Sequence, residues 1–186
     1  MAVARIPRSD DLEVTISPMR RRHLRWVLRI EQQVYTRPWS LGLFMSELGY
    51  RGSRVYVVAR VGNAVVGYGG VMLVADDGHV TTLAVDPAWH RHQLGTRLLH
   101  TLATAAISRG AKNLTLEVRA SNRGAQALYR AFGFAPAGIR KGYYVETNED
   151  AIIMWANDVD AADYTDRLAA LEAGLPGTTI HEGLDP

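Results

Sequence analysis

Apolar and polar positions follow two different rhythms along this chain, and the switches between them lay out its elements. Residues 55–59, 64–74 and 80–85 are short runs rich in valine, read as strands. Gly62-Asn63 and Asp76-Asp77-Gly78 separate them as turn signals, which predicts an antiparallel meander. Gly67, Gly69 and Gly70 in the middle run predict a bulge or a close backbone approach. Residues 113–119 make a further strand by alternation, and 142–146 and 151–155 are expected to close the sheet. Helical spacing fills the intervals. Ser17-Pro18 reads as a helix start, with the helix running to about residue 33. Ser40 is placed to cap a short helix through about residue 48. Leu94, Leu98, Leu102 and Ala105 recur at four- and three-residue spacing, predicting a helix over 94–109 stopped by Gly110. Ser121 or Asn122 would cap another over 123–132, ended by Gly133.

These elements fit one α/β domain over residues 14–157. Residues 1–13 read as a flexible arm. Past Asn157 the composition turns acidic and alanine-rich, with Ala161, Tyr164, Leu168 and Leu171 forming a helical stripe ended by Gly174. The region 158–186 is therefore expected to be a partly helical extension whose last dozen residues are disordered.

Composition removes several chemistries. There are no cysteines among the 186 residues, which excludes a disulfide framework, a thiolate nucleophile and a cysteine metal site. With no apolar run near ~18 residues and no signal-like segment at the start, a cytoplasmic setting without membrane contact is expected. The net charge of +2 is too small to argue for direct nucleic-acid binding. All basic residues except Lys112 and Lys141 are arginines; Arg21, Arg25 and Arg29, four apart, read as a solvated helix face.

Candidate chemistry concentrates in two places. Glu117 stands near the end of the strand Leu114-Thr115-Leu116-Glu117-Val118, where burying a carboxylate is costly unless something pairs with it or uses it. The next helix offers one phenol, Tyr129, so a carboxylate and a phenol can converge on one crevice as an acid/base pair. The bland alternatives are an ion pair of Glu117 with Arg119 or another arginine, and core packing of Tyr129. Upstream, the strand at 80–85 and Asp86-Pro87 lead through His90-Arg91-His92-Gln93-Leu94-Gly95-Thr96 into a helix, which leaves backbone N–H groups ready for a phosphate. His90, His92 and His100 read more simply as phosphate donors or surface residues than as metal ligands, and no metal is expected.

In this order and spacing the chain resembles the GCN5-related N-acetyltransferase (GNAT) superfamily, and within it the RimI family. The residues that carry the resemblance are Thr82-Leu83-Ala84-Val85-Asp86-Pro87, Leu116-Glu117-Val118-Arg119-Ala120-Ser121-Asn122, Ala127-Leu128-Tyr129 and Gly133-Phe134. Arg140-Lys141-Gly142-Tyr143-Tyr144, Glu149-Asp150-Ala151-Ile152-Ile153-Met154 and, upstream, Pro38-Trp39-Ser40 extend it over about residues 14–155. The resemblance implies a GNAT fold, a central mixed and mostly antiparallel twisted sheet of about seven strands flanked by about four helices. It implies acetyl-CoA as co-substrate, and as acceptor the N-terminal amine, typically alanine, of a small-subunit ribosomal protein.

By the same resemblance Glu117 is the base and Tyr129 the acid toward the coenzyme sulfur. Leu83, Ala84 and Val85 would offer backbone groups to the pantetheine arm. Arg91, His92, Gln93, Leu94, Gly95 and Thr96 would hold the pyrophosphate, and Asn122 would touch the coenzyme. Trp39 and Tyr143 are candidates for lining the peptide groove. The chain departs from the family's R/Q-x-x-G-x-G/A turn: His90 takes the first position and Gln93 replaces the first glycine. If position 93 needs a positive φ, Gln there carries about 1 kcal/mol of strain. Two alternatives stay open: an acetyltransferase for a small polyamine or aminoglycoside, and a coenzyme-binding module without catalysis.

Overall fold

Residues 8–184 are described by the structure, a computed structural model. In chain order the elements are β1 (Glu13–Pro18), α1 (Leu24–Val34), α2 (Leu41–Glu47), β2 (Arg54–Val61), β3 (Ala64–Val74) and β4 (Asp77–Val85). Then come α3 (Leu94–Ser108), β5 (Asn113–Arg119), α4 (Arg123–Ala131), β6 (Ala135–Tyr144), β7 (Glu149–Ala156), α5 (Ala162–Ala173) and β8 (Thr178–His181). The strands form a single sheet in the order β6-β7-β5-β4-β3-β2-β1-β8. Only β4–β5 and β1–β8 are parallel. The α/β GNAT architecture expected from the sequence is present, with eight strands and five α-helices among the described residues.

One face of the sheet carries α3, whose Leu94, Leu98, Leu102 and Ala106 are buried with residues of β1 to β5 and of α5. Each fully buried leucine there contributes about 1.5–3 kcal/mol of apolar burial. The other face holds Leu24, Val27 and Ile30 of α1 and Phe44 of α2 against Tyr56, Val58 and Tyr68. The glycines of β3 make this packing possible: a Cβ on Gly70 would overlap the Tyr56 ring. The predicted irregularity is there too, as a register shift between Gly70 and Val71 that leaves Thr81 of β4 unpaired.

Four local expectations are corrected. Ser17-Pro18 ends strand β1 and does not start a helix; Val14 and Ile16 bury in period two, and α1 begins only at Leu24 after a 3-10 turn at Arg21–His23. Pro18 lies past Ile16, where pairing with β8 has already stopped, so its missing N–H costs no ladder bond on that side. The strand expected at 142–146 is the end of a longer one, β6, which lies at the sheet edge and is mostly exposed, so no apolar alternation marks it. Residues 178–181, expected to be disordered, form β8 along β1. The buried Arg97 of α3 holds this segment through Thr179 Oγ1 and the Pro176 carbonyl, and Gly177 (φ +69°) passes so close to the Leu12 carbonyl that no side chain fits. Of the expected N-terminal arm, residues 1–7 lie outside the described residues, whereas Leu12 is buried in the core. Val159, Tyr164 and Leu168 join that same core, so the C-terminal region packs as part of the one body.

The site follows from one topological fact. The parallel strands β4 and β5 pair only through Asp77, Gly78 and His79 with Asn113, Leu114 and Thr115, and then part. Asp86 donates its N–H to the Val66 carbonyl of the β3 side, so by strand alternation the peptide groups of Leu83 and Val85 face the opposite way, into the gap.

Candidate active site

Alternation along β5 buries Leu114, Leu116 and Val118 beneath the α3 face and turns Thr115, Glu117 and Arg119 to the other. Glu117 is partly buried; its Oε1 accepts from Arg140 Nη1 at 2.7 Å, and its Oε2 lies 3.4 Å from His79 Nε2. The partner is therefore Arg140 of β6. Arg119 instead meets Glu149 Oε2 at 3.2 Å, Thr147 Oγ1 at 2.9 Å and Thr36 Oγ1 at 3.1 Å, with its guanidinium 3.8 Å from the Tyr144 ring centroid. It ties the α1–α2 connection to the β6–β7 turn across the mouth of the gap.

Tyr129 projects from α4 into the core, 5.9 Å from the Phe134 ring. Burial pushes its phenol well above the usual range, and the neighbouring Tyr35 and Tyr144 push it further the same way. Tyr144 in turn is raised to about 12, first by burial, and it lies close enough to Glu117 to feel that carboxylate. Tyr35 donates to the Leu83 carbonyl at 3.0 Å, and His90 Nε2 is 3.2 Å from the Val85 carbonyl. Both outward carbonyls of β4 thus meet side chains within the protein.

The turn before α3 carries the strain anticipated for it. Gln93 sits at φ +58° and Arg91 at φ +69°, both in the left-handed region. Thr96 Oγ1 donates to Gln93 Oε1 at 2.9 Å, and Arg97 N donates to Gln93 O at 3.1 Å as the first intrahelical bond. The N–H groups of Leu94, Gly95 and Thr96 are then the unpaired donors of the helix start, suited to a phosphate. A Cβ on Gly95 would lie 3.2 Å from Leu128 of α4. Gly95→Val is expected to weaken acetyl-CoA binding by about 2 kcal/mol or more through obstruction and lost N–H contacts. Gln93→Gly should leave it unchanged or slightly tighter, since strain relief and added unfolded-state entropy are each about 1 kcal/mol. Calorimetric titration of the two variants decides whether this turn is the phosphate site; parental affinity in Gly95→Val would place it elsewhere.

Asn122 caps α4, its Oδ1 accepting from Ala125 N at 3.1 Å. Tyr143 is exposed and lies 5.0 Å from the Arg140 guanidinium, beside Glu117. Trp39 is partly buried, its indole packing on Phe44 and Tyr56 at 5.2 and 6.5 Å against the cluster under α1 and α2.

Sequence reasoning missed Glu31. It occupies the buried stripe of α1, four residues after Val27, where a carboxylate is the anomaly that could have been noticed. Its Oε1 accepts the Trp39 N–H at 2.8 Å, closing the α1–α2 connection, while Oε2 is buried with no hydrogen-bond partner. Burial pushes its pKa from 4.5 to about 7, against the opposing pull of the Trp39 N–H. A carboxyl whose pKa is raised by folding stabilises the native state below the unfolded value and loses that contribution as pH rises through the folded one. Between pH 5 and 8 the wild type should therefore lose about 2.5 kcal/mol more stability than Glu31→Gln. Denaturant titrations at the two pH values test this; parallel losses in both proteins would show that Glu31 does not titrate in that window.

A sheet that opens between β4 and β5, with a left-handed turn leading into α3 on one side and Glu117 of β5 on the other, frames the site; Tyr129 lies apart from Glu117, in the core on the α3 face. The chain belongs to the acetyltransferase (GNAT) family, whose model matches residues 24–134. It is 38% identical over 142 residues to the Escherichia coli (strain K12) ribosomal protein bS18-alanine N-acetyltransferase, covering 75% of this chain and 95% of that one. The crystal structure of the Escherichia coli enzyme matches with a TM-score of 0.71 at 36% identity, over 78% of this chain and 94% of that one. The N-alpha-acetyltransferase RimI of Mycobacterium tuberculosis is 36% identical over 152 residues, covering 78% and 94%. Ard1 from Thermoplasma volcanium shares the fold, with a TM-score of 0.72 over 77% of this chain and 97% of that one, at 23% identity. No helix among the described residues is long and apolar enough to cross a membrane.

Proposed function

We propose that this chain transfers the acetyl group of acetyl-CoA to the N-terminal α-amine of a protein, with a ribosomal protein beginning in alanine as its natural acceptor. The observation that carries the reading is the gap between β4 and β5, with outward backbone groups on one wall and Glu117 on the other. The relatives' names supply the acceptor class.

The pantetheine arm lies along the gap-facing edge of β4, on the N–H groups beside the carbonyls that Tyr35 and His90 engage, and the pyrophosphate at the N-terminus of α3. Glu117, oriented by Arg140 and His79, takes a proton from the substrate ammonium, directly or through water. The freed nitrogen pair forms the bond to the thioester carbon, whose oxygen gathers charge that one outward N–H of β4, that of Leu83 or of Val85, can stabilise. The C–S bond then breaks. Tyr129 gives the leaving sulfur its proton and regains one from the acylated nitrogen by way of water, so the products are the acetylated amine and the free thiol. With no cysteine and no G-x-S-x-G elbow in the chain, a covalent acyl-enzyme has no nucleophile of the usual kind.

An α-amine titrates near 8 and a lysine near 10.4, so at pH 7.5 about a third of the former but only ~0.1% of the latter is neutral. A single carboxylate base suits the former. A polycationic small-molecule acceptor would want free acidic groups, yet Glu146, Glu149, Asp150 and Glu47 pair with Arg37, Arg119, Lys141 and Arg54 at 2.8–3.2 Å. A non-catalytic coenzyme-binding module would need neither Glu117 nor Tyr129, and both are present. The test is to offer acetyl-CoA with short peptides differing at their first residue and locate the acetyl group by mass. Peptides beginning with Ala should be modified at the N-terminus; equal or greater modification of internal lysines would overturn the assignment.

A further inference from the structure

The small net charge of this chain conceals an uneven distribution. Arg20, Arg21 and Arg22 follow β1, Arg51 and Arg54 lie in and after the turn preceding β2, and Arg109 ends α3; all six line one groove of about 1180 Å³. Backbone contacts show how the fold gathers them. Met19 N donates to the Tyr56 carbonyl at 2.8 Å, which sets the Arg20–Arg22 turn beside the start of β2. Arg109 Nη1 donates to the Arg51 and Arg54 carbonyls at 3.3 and 3.4 Å, drawing the end of α3 to the same place.

Two glutamates are the only acidic side chains lining the groove among the described residues, so it holds six arginines against two carboxylates, while the whole chain nets +2. Glu47 is engaged by Arg54 Nε at 2.9 Å and by the Tyr56 hydroxyl at 2.8 Å, and Glu172 faces His100 at 4.0 Å. The other five guanidiniums are exposed and have no carboxylate partner among the described residues. Such a concentration of like charge repels itself and is stabilised by an external polyanion. Guanidinium forks match phosphate oxygens in pairs. At the rim, Tyr50 is 55% exposed with the Arg54 guanidinium 5.6 Å from its ring centroid, a free aromatic face next to the charges. Alternating phosphate-binding cations and an open aromatic face suit a nucleic-acid strand better than an acidic peptide, which has nothing to stack.

We infer that this groove binds single-stranded RNA, holding its phosphodiester backbone on Arg20, Arg21, Arg22, Arg51 and Arg109 and a base on Tyr50. The choice of RNA rests on the reading above, because a ribosomal acceptor is surrounded by it. The groove is set apart from the coenzyme turn: Arg54 pairs with Met72 and Met72 with His79, which puts it at the start of β4, whereas that turn follows the end of β4. It recruits a partner and takes no part in acetyl transfer.

Fluorescence anisotropy of a labelled RNA 12-mer with the full chain tests this. Binding in the ~1–100 μM range is expected, weakening about 100-fold between 50 and 200 mM salt if about five phosphates are neutralised. Arg21→Ala with Arg51→Ala should weaken it at least tenfold and flatten the salt slope by more than one, while peptide acetylation and Tm stay unchanged. Arg123→Ala with Arg130→Ala, exposed arginines outside the groove, should leave RNA binding as it was. The inference is overturned if RNA fails to bind, if both double variants weaken binding alike, or if poly-glutamate or inorganic polyphosphate competes as well as RNA of equal charge. RNA binding and acetylation are read separately, so loss of the acetyltransferase reading leaves a different signature.

Discussion

Replacing Tyr129 with Phe is expected to lower kcat by roughly 10- to 1,000-fold while leaving acetyl-CoA affinity nearly unchanged. The ring is 8% exposed and packs on Phe134, so Phe keeps the apolar contacts and removes only the hydroxyl. That hydroxyl makes no hydrogen bond among the described residues; burial and two neighbouring phenols perturb it. A phenol held above its usual pKa keeps its proton across the working pH range and releases it only as charge builds on the leaving sulfur. Its contribution is therefore confined to the transition state, which is why kcat should fall with binding intact. No alkaline loss of activity should trace to Tyr129 below the usual phenol range. Stopped-flow or steady-state rates with coenzyme titration make the check. A large rise in coenzyme Kd with unchanged kcat would assign Tyr129 to packing.

Much of this could be read from the chain because the relevant signals are local. Ser40 and Asn122 are caps whose side chains accept from Leu43 N and Ala125 N, the interaction that made them recognisable. The strand bounds at Asn113–Arg119 coincide with the alternation that predicted them. What escaped depends on partners distant in sequence. Ser17-Pro18 can start a helix or end a strand, and the choice is made by pairing of Pro18 with Val57 and Ile16 with His181. The segment 178–181 has one aliphatic residue, Ile180, and becomes a strand because Arg97, 82 residues before Thr179, holds it. Glu31 escaped because its bond to the Trp39 N–H closes a loop eight residues long, and the residue alone does not announce it. The ion pair of Glu117 went to Arg140 rather than the nearby Arg119 because the β6–β7 hairpin brings one arginine over the carboxylate and its turn engages the other.

Glu117→Gln is expected to reduce kcat/KM for an alanine-initiated peptide by about 10²- to 10⁴-fold at pH 7, the usual worth of a positioned base. The competing view is that Glu117 merely anchors Arg140. That arginine's side chain is 50% exposed, and an ion pair so open to water contributes about 0–1 kcal/mol to stability. Gln retains an oxygen for the Arg140 contact at the same place, so an anchoring role predicts little loss in either rate or Tm. Arg140→Ala separates the two roles further. It removes the anchor and spares the carboxylate, and should cost only the orientation it provides, well under the loss in Glu117→Gln. The pH dependence carries the sharper distinction. An α-amine titrating near 8 is mostly neutral by pH 9.5, so the need for a base fades and the deficit of Glu117→Gln should shrink as pH rises. A deficit that is constant with pH, or one below threefold at pH 7 that matches the Arg140→Ala loss, would remove Glu117 from the chemistry and make it an anchoring residue.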